Sequence, residues 1–401
     1  MAKRSIITAL LANISKVSIL YGSLLLLVLD WLTIYNFMPI TVSVLLRAFI
    51  LAICLSYILI TGINFGKYWF NFGYALSFFI FVNAIYASFS SSVISDFYYI
   101  SRILMWVAIS VAIYRLLIFG DLRDYELRNF IYLLILLGSL FTLYFMALPG
   151  IEAGQNANSY SLLWAIPIAL LFPDRLKLKW FIIGLAIIAI IITVKRGAIV
   201  ALTISGMAYY LYGVMINSTF SKFVTMTFSF MVLLGIAGLI MMNNIESIET
   251  RFSDTSGSGR DVLYLLLISH WLDADTISQV FGFGINSVQQ YTSTVYSGAF
   301  SSDSGIYAHS DWLQLIHDFG LIGIVILFWI HYAVIRLIIL GHNMNLGYTP
   351  ALLMGYIILF LVNIYSGHLF APGAFLFGIL VAYCAAKFSI AKLANISHQA
   401  L

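Results

Sequence analysis

Three short segments of this 401-residue sequence hold residue types able to act together on an anionic substrate. The first is Lys195-Arg196-Gly197, two adjacent cations and a glycine set inside the apolar run "IITVKRGAIVALTI". A guanidinium is planar, stays charged at every relevant pH and matches phosphate oxygens two at a time. The glycine allows a tight turn or a close backbone approach beside it. The second is Arg260 in "SGSGRDVLYLLLISHW", where the spacing predicts a helix whose first turn carries the arginine. The Gly/Ser stretch before it could add backbone amides to the binding of an anion. The third is "AHSDWLQLIHDFGLIG", with His309, Asp311, His317 and Asp318. Imidazole titrates near neutrality, as a general base for a hydroxyl must.

Each segment also has a plainer reading. Lys195 and Arg196 could be interfacial cations snorkelling to headgroups, Arg260 an exposed arginine paired with Asp254 or Asp261, and His317 a packing residue. The pairing of two separate cationic segments favours the anion reading. A diphosphate needs compensating charge, and each cation at about 4 Å contributes roughly 4 kcal/mol at an effective dielectric near 20, before desolvation.

The elements that must position these residues are membrane helices. The chain is 62% hydrophobic, 16% aromatic and only 9% charged, and its mean hydropathy of +1.00 lies far above soluble usage. Windows of about 20 residues predict an all-α fold of about twelve spans. Nine precede residue 243, near 17–35, 40–62, 69–89, 94–118, 129–149, 158–173, 179–194, 197–216 and 222–242. A polar loop, 243–317, follows, and three more spans lie near 318–340, 350–369 and 372–390. The chain thus divides into 1–242, the loop and 318–401. The first span shows no small-residue cleavage signal and reads as a retained helix. "SGRDVLYLLLISHWLDAD" reads as an amphipathic helix on the membrane surface, with Ser258 a plausible N-cap.

Charge placement orients the bundle. With the N-terminus inside, fourteen of the twenty Lys and Arg residues fall on the inner side, while Arg47 and Arg102 fall within spans. The outer exceptions are Lys195, Arg196, Arg251 and Arg260, so the positive-inside rule is well satisfied. The loop and its exit also hold nine of the sixteen acidic residues. Any chemistry is therefore expected on the outer face. Arg102 is costly in a bilayer and should face the bundle interior or a substrate groove.

Other patterns carry less. Gly282 and Gly284 in "VFGFGINSV" suggest a turn and not a nucleotide fingerprint, because the third glycine is missing. "DAD" at 273–275 matches the DxD of metal-dependent sugar transferases, but three-residue matches are common and a metal is not expected. His368 in "YSGHLFAPG" is a weak neighbour of the site. The two cysteines, Cys54 and Cys384, sit in separate apolar runs and support neither a disulfide framework nor a thiolate metal site. No nucleotide loop, zinc motif or nucleic-acid patch stands out.

"TVKRGAIVAL" (193–202), "SGRDVLYLLLISHW" (258–271), and "GFGINSV" followed by "AHSDWLQLIHDFGLIG" together resemble, in order and spacing, the O-antigen polymerase and ligase superfamily. This resemblance spans about residues 190 to 330. It implies a membrane glycosyltransferase of the GT-C-like type in a bacterial inner membrane, both termini cytoplasmic and the active site periplasmic. It further implies that Arg196 and Arg260, with Lys195, hold the diphosphate of an undecaprenyl-diphosphate-linked oligosaccharide and that His309 activates the acceptor hydroxyl. Asp311, His317, Arg102 and Arg251 would support them. The family signature has Asn after the histidine where this chain has Ser310, which leaves the role of Asp311 open. The implied reaction is metal-independent, needs no cofactor and inverts the anomeric centre. Its partners would be the lipid-linked glycan as donor and acceptor, membrane lipids and a chain-length regulator protein. A polysaccharide polymerase is the leading expectation. A ligase acting on a lipid A core and a flippase of polyprenyl-linked sugars are the alternatives.

Overall fold

The computed structural model describes residues 6–34, 40–61, 70–88, 93–147, 158–172, 177–193, 195–217, 260–295, 306–367, 369 and 372–399, all of them in helices and their connections. Fifteen α-helices follow in chain order among those residues: α1 Ile6–Val17, α2 Ser23–Ile34, α3 Ile40–Thr61, α4 Phe70–Ser88, α5 Val93–Ile118, α6 Asp124–Ala147, α7 Asn158–Leu170, α8 Lys177–Ile192, α9 Arg196–Asn217, α10 Arg260–Leu272, α11 Thr276–Phe281, α12 Ser287–Val295, α13 Asp311–Asn343, α14 Thr349–Tyr365 and α15 Phe375–Gln399. A π-helical turn, Ser18–Gly22, joins α1 to α2. The ninth expected span, 222–242, and the first part of the expected loop lie outside the described residues.

Helices are the only open-ended answer to these apolar runs, because lipid offers no partner for a backbone N–H or C=O. Five stretches are long and apolar enough to cross a bilayer by length and composition: Ala9–Asp30, Val42–Thr61, Asp124–Ala147, Asp311–Asn343 and Phe375–Ala394. Large apolar side chains such as Leu45, Phe81, Phe181, Val325 and Phe328 point outward, as they must where the surroundings are hydrocarbon. The protein is a polytopic, all-helical membrane protein.

The interior is built on α5, α7 and α15. Trp106 stacks on Phe377 with ring centres 5.8 Å apart and donates its indole N–H to the Ala374 carbonyl, while Trp164 packs on the same Phe377 at 5.0 Å. Between α2 and α3, Arg47 Nη2 donates to both Asp30 oxygens at 3.1 and 3.0 Å, with the two side chains 2% and 5% exposed. Ionised groups so deep persist only when paired. The charge of Arg102, on α5, also acts on Asp30.

The helices that position the expected chemistry are α7, α9, α10, α13 and α14. Helix α14 packs on α9, α7 and α13, and α10 and α11 pack on α13. Helix α13 begins at Asp311, seven residues before the expected span, and is interrupted at Gly320, whose φ is 61°. The break leaves His317 and Asp318 carbonyls to accept from the loop, from Phe283 N–H at 3.0 Å and Gly284 N–H at 3.0 Å. Two glycines make this approach possible. A Cβ on Gly282 (φ +78°) would strike the backbone of Asp318 and Phe319, and one on Gly320 would strike the backbone of Gln279 and Val280. The expected glycine turn therefore fastens the loop to the membrane helix, backbone to backbone.

Candidate functional site

The site is best built outward from the end of α14. That helix stops at Tyr365; Ser366 caps it and Gly367 takes φ 65°. Carbonyls in the last turn of a helix have no partner in the helix itself. Arg260, the first residue of α10, takes up the Tyr365 carbonyl, donating from Nη1 at 2.7 Å. The Tyr365 hydroxyl donates to the carbonyl of Gly197 at the start of α9. Gly197 must be glycine here, because a Cβ would collide with the Tyr365 ring and lie 3.1 Å from the Tyr160 hydroxyl. Tyr160, on α7, hydrogen-bonds with Ser366, and the Lys195 ammonium lies over its ring, 5.6 Å from the centre. Arg196 is the first residue of α9, between Lys195 and this contact.

His309 closes the same cluster. It precedes α13 with φ 52°, a left-handed conformation uncommon outside glycine but one that histidine, like asparagine and aspartate, adopts more readily than other residues. Its carbonyl accepts from the Tyr264 hydroxyl of α10 at 3.1 Å. Its side chain keeps access to solvent. Partial withdrawal from water, and then the positive charges of Arg260 and Lys195, lower its pKa from 6.5 to about 4. The imidazole is thus neutral at pH 7, with a lone pair able to take a proton. The Arg260 charge is also felt at Tyr160, Tyr264 and Tyr365. Lys195, Gly197, Arg260 and His309, drawn from three separate segments, meet around Tyr160, Tyr264 and Tyr365, three tyrosines that sequence reasoning did not single out.

The other expected site residues have different surroundings. Asp311 is buried, 1% exposed. Its two oxygens accept from the Leu369 N–H at 3.2 Å each, and the Asn363 amide, in its better-satisfied orientation, donates to Oδ2 at 2.6 Å. Ser310 caps α13 at the Leu313 N–H and donates from Oγ to the Asn363 carbonyl at 3.2 Å. These two residues hold the His309 backbone against the end of α14. This arrangement gives Ser310 and Asp311 a scaffold role.

His317 does not share a helical face with His309, because His309 lies outside α13. It is fully buried, and its Nδ1 meets the Ser287 hydroxyl at 2.8 Å and its Nε2 meets His270 Nδ1 at 2.9 Å. Ser287 also donates to Asp318 Oδ1 at 2.8 Å, and Gln314 donates to Asp318 Oδ2 at 2.8 Å. His270 is sandwiched between Phe283 and Tyr291, at 4.4 and 3.8 Å between ring centres. This polar cluster locks α10 and α12 onto α13. The signal for it, a second histidine in the loop helix, was present in "ISHWLDAD". Of that motif, Asp275 is occupied as the N-cap of α11, accepting from Ile277 N–H at 2.8 Å and Ser278 N–H at 3.1 Å. Among the described residues no group of three or more His, Cys, Asp or Glu side chains is arranged to hold a metal. Arg251, Asp254, Ser258 and His368 lie outside the described residues.

The O-antigen ligase family model matches residues 181–328. Within those residues the chain is similar to the O-antigen ligase family. Members of this O-antigen ligase family are membrane glycosyltransferase-like enzymes, and the match supports the superfamily resemblance carried by the three segments. No curated protein matches the chain. The O-antigen ligase match contains Lys195, Arg196, Gly197, Arg260, Tyr264 and His309. It stops short of Asn363, Tyr365 and Gly367, and it begins after Tyr160. The cluster therefore joins segments inside the family domain to segments outside it.

Proposed function

We propose that this protein is a polysaccharide polymerase that transfers a glycan from a polyprenyl diphosphate to a hydroxyl of a second lipid-linked repeat unit. The observation that carries this reading is the placement of a neutral imidazole, His309, within the field of two cations, Arg260 and Lys195, contributed by separate segments. An anion drawn to those cations arrives beside a base.

The chemistry follows from that pairing. The acceptor hydroxyl gives its proton to His309 as its oxygen forms a bond to the anomeric carbon. The bond from that carbon to the diphosphate oxygen breaks, and its electron pair leaves on the diphosphate. Arg260, Lys195 and Arg196 hold the charge that grows there, as preorganised donors do for any developing anion. One displacement inverts the anomeric centre. The diphosphate's own charge offsets the two cations near His309, so donor binding raises the basicity of the imidazole when it is needed. The site would face the outer side of a bacterial inner membrane, where the flipped lipid-linked glycan is found.

The test is incubation of the purified protein, in lipid nanodiscs and with a chelator present, with a synthetic undecaprenyl-diphosphate repeat unit. A ladder of lengths without any core acceptor is the expected product. Transfer only to an added lipid A core makes the protein a ligase. Movement of the lipid across vesicles with no new glycosidic bond makes it a flippase.

A further inference from the structure

Tyr365 makes contacts in three directions. Its backbone carbonyl receives Arg260 from α10, its hydroxyl reaches the Gly197 carbonyl at the start of α9, and its ring fills the space where Gly197 lacks a side chain. Its neighbours extend the pattern. Ser366 bonds Tyr160, over whose ring Lys195 lies, while Gly367 packs on the backbone of His309 and Ser310, and Asn363 engages Ser310 and Asp311. Every segment that bears a residue of the proposed reaction touches residues 363–367. The family domain, at 181–328, contains none of them.

We propose that Tyr365 is a positioning residue of the diphosphate site: it sets the spacing between Lys195 and Arg196, at the start of α9, and Arg260 of α10, so that both segments engage one diphosphate. This rests on the diphosphate reading of the cations. The physical reason is that Arg260 and Lys195 repel one another when no anion is bound, and Arg260 stands at the mouth of a loop helix. A carbonyl dipole aimed at the guanidinium and a hydroxyl tied to the neighbouring helix hold the two segments against that repulsion. The donor then finds its site formed, without an ordering cost at the moment of binding.

The test uses the full chain in nanodiscs, with undecaprenyl diphosphate as the binding probe and the synthetic repeat as substrate. Tyr365→Phe keeps the ring against Gly197 and removes only the hydroxyl. We expect about a fivefold rise in both the Kd for the probe and the KM for the donor, the size of one neutral hydrogen bond, with kcat within about twofold and the unfolding midpoint lowered by at most about 2 °C. Gly197→Ala should weaken probe binding more, because its methyl group displaces the ring. In the Tyr365→Ala background the same Gly197→Ala change should have little further effect, because the space has been vacated. Arg260→Ala distinguishes failure of diphosphate binding from failure of the positioning role. If Arg260→Ala binds the probe as wild type does, the diphosphate reading itself fails and the proposal with it. If Arg260→Ala loses binding while Tyr365→Phe keeps wild-type Kd and KM, the reading stands and the positioning role is wrong. A fall in kcat matched by a lower unfolding midpoint in Tyr365→Phe, with KM unmoved, also overturns it. Equal effects of Gly197→Ala in the two backgrounds do the same.

Discussion

At the scale of single residues, His309 is defined by what its neighbours do to its proton affinity. Partial withdrawal from water comes first, then Arg260 and Lys195, and together they lower its pKa to about 4. The direction fixes the pH behaviour of the free protein. Above about pH 4 the imidazole is neutral and able to act as a base; below it, a bound proton removes that function. The acid limb of kcat/KM, which reports the free enzyme, should therefore fall as pH drops through about 4 and lie well below the ordinary 6.5. Removing one of the two charges with Arg260→Gln should move the limb upward. A limb near 6.5 in wild type, or one indifferent to Arg260→Gln, is incompatible with this account. Replacing the base itself, His309→Ala, is expected to lower kcat by a factor of about 10²–10⁴ while binding of undecaprenyl diphosphate persists; unimpaired elongation in a gel assay would show that the proton goes elsewhere. The pairing of His309 with two cations was legible in the sequence as residue types. The tyrosines that hold it there were not, because an aromatic residue in an aromatic-rich chain carries no signal until its hydroxyl is seen to have a partner.

At the scale of elements, the decisive features are the places where helices stop. The break at Gly320 releases two carbonyls of α13 to the 282–284 turn, and the end of α14 releases the Tyr365 carbonyl to Arg260. Gly282→Ala should therefore destabilise the protein by about 1–3 kcal/mol, through its positive φ and the blocked approach to Asp318, and should accelerate amide exchange at Phe283 and Gly284. The same change at Gly206, within α9 and with open space around it, is expected to be neutral or slightly stabilising, since alanine favours a helix interior. Thermal unfolding of the two variants side by side checks the contrast; equal behaviour would mean that the turn is not anchored as described. Hydropathy located the helices and the loop helix at Arg260, because burial of apolar side chains sets both. The tenth expected span begins near 318, whereas α13 begins at Asp311, because the buried polar partners of Asp311, Gln314, His317 and Asp318 do not show in hydropathy.

At the scale of the whole molecule, the proposed site must face the side from which lipid-linked glycans arrive. Cys54 and Cys384 are both buried, so an introduced thiol can be read against a silent background. Thr276→Cys, in the exposed first turn of α11, should react with a membrane-impermeant maleimide in intact cells, and Asn345→Cys, exposed between α13 and α14, only after permeabilisation. The reverse pattern would turn the site inward and remove the basis for the proposed donor. Composition, by itself, determined that this chain is helical and lives in a membrane, because so much apolar surface and so few charges leave lipid as the only solvent that fits; the expected orientation singled out Lys195, Arg196, Arg251 and Arg260 as candidates. Only the tertiary structure decided that Lys195, Gly197, Arg260 and His309 meet at the end of α14, and that His317 pairs with His270 and Ser287. Contacts between residues more than a hundred positions apart depend on where each helix ends and which carbonyl it leaves open, and a linear pattern of hydrophobicity does not encode that choice.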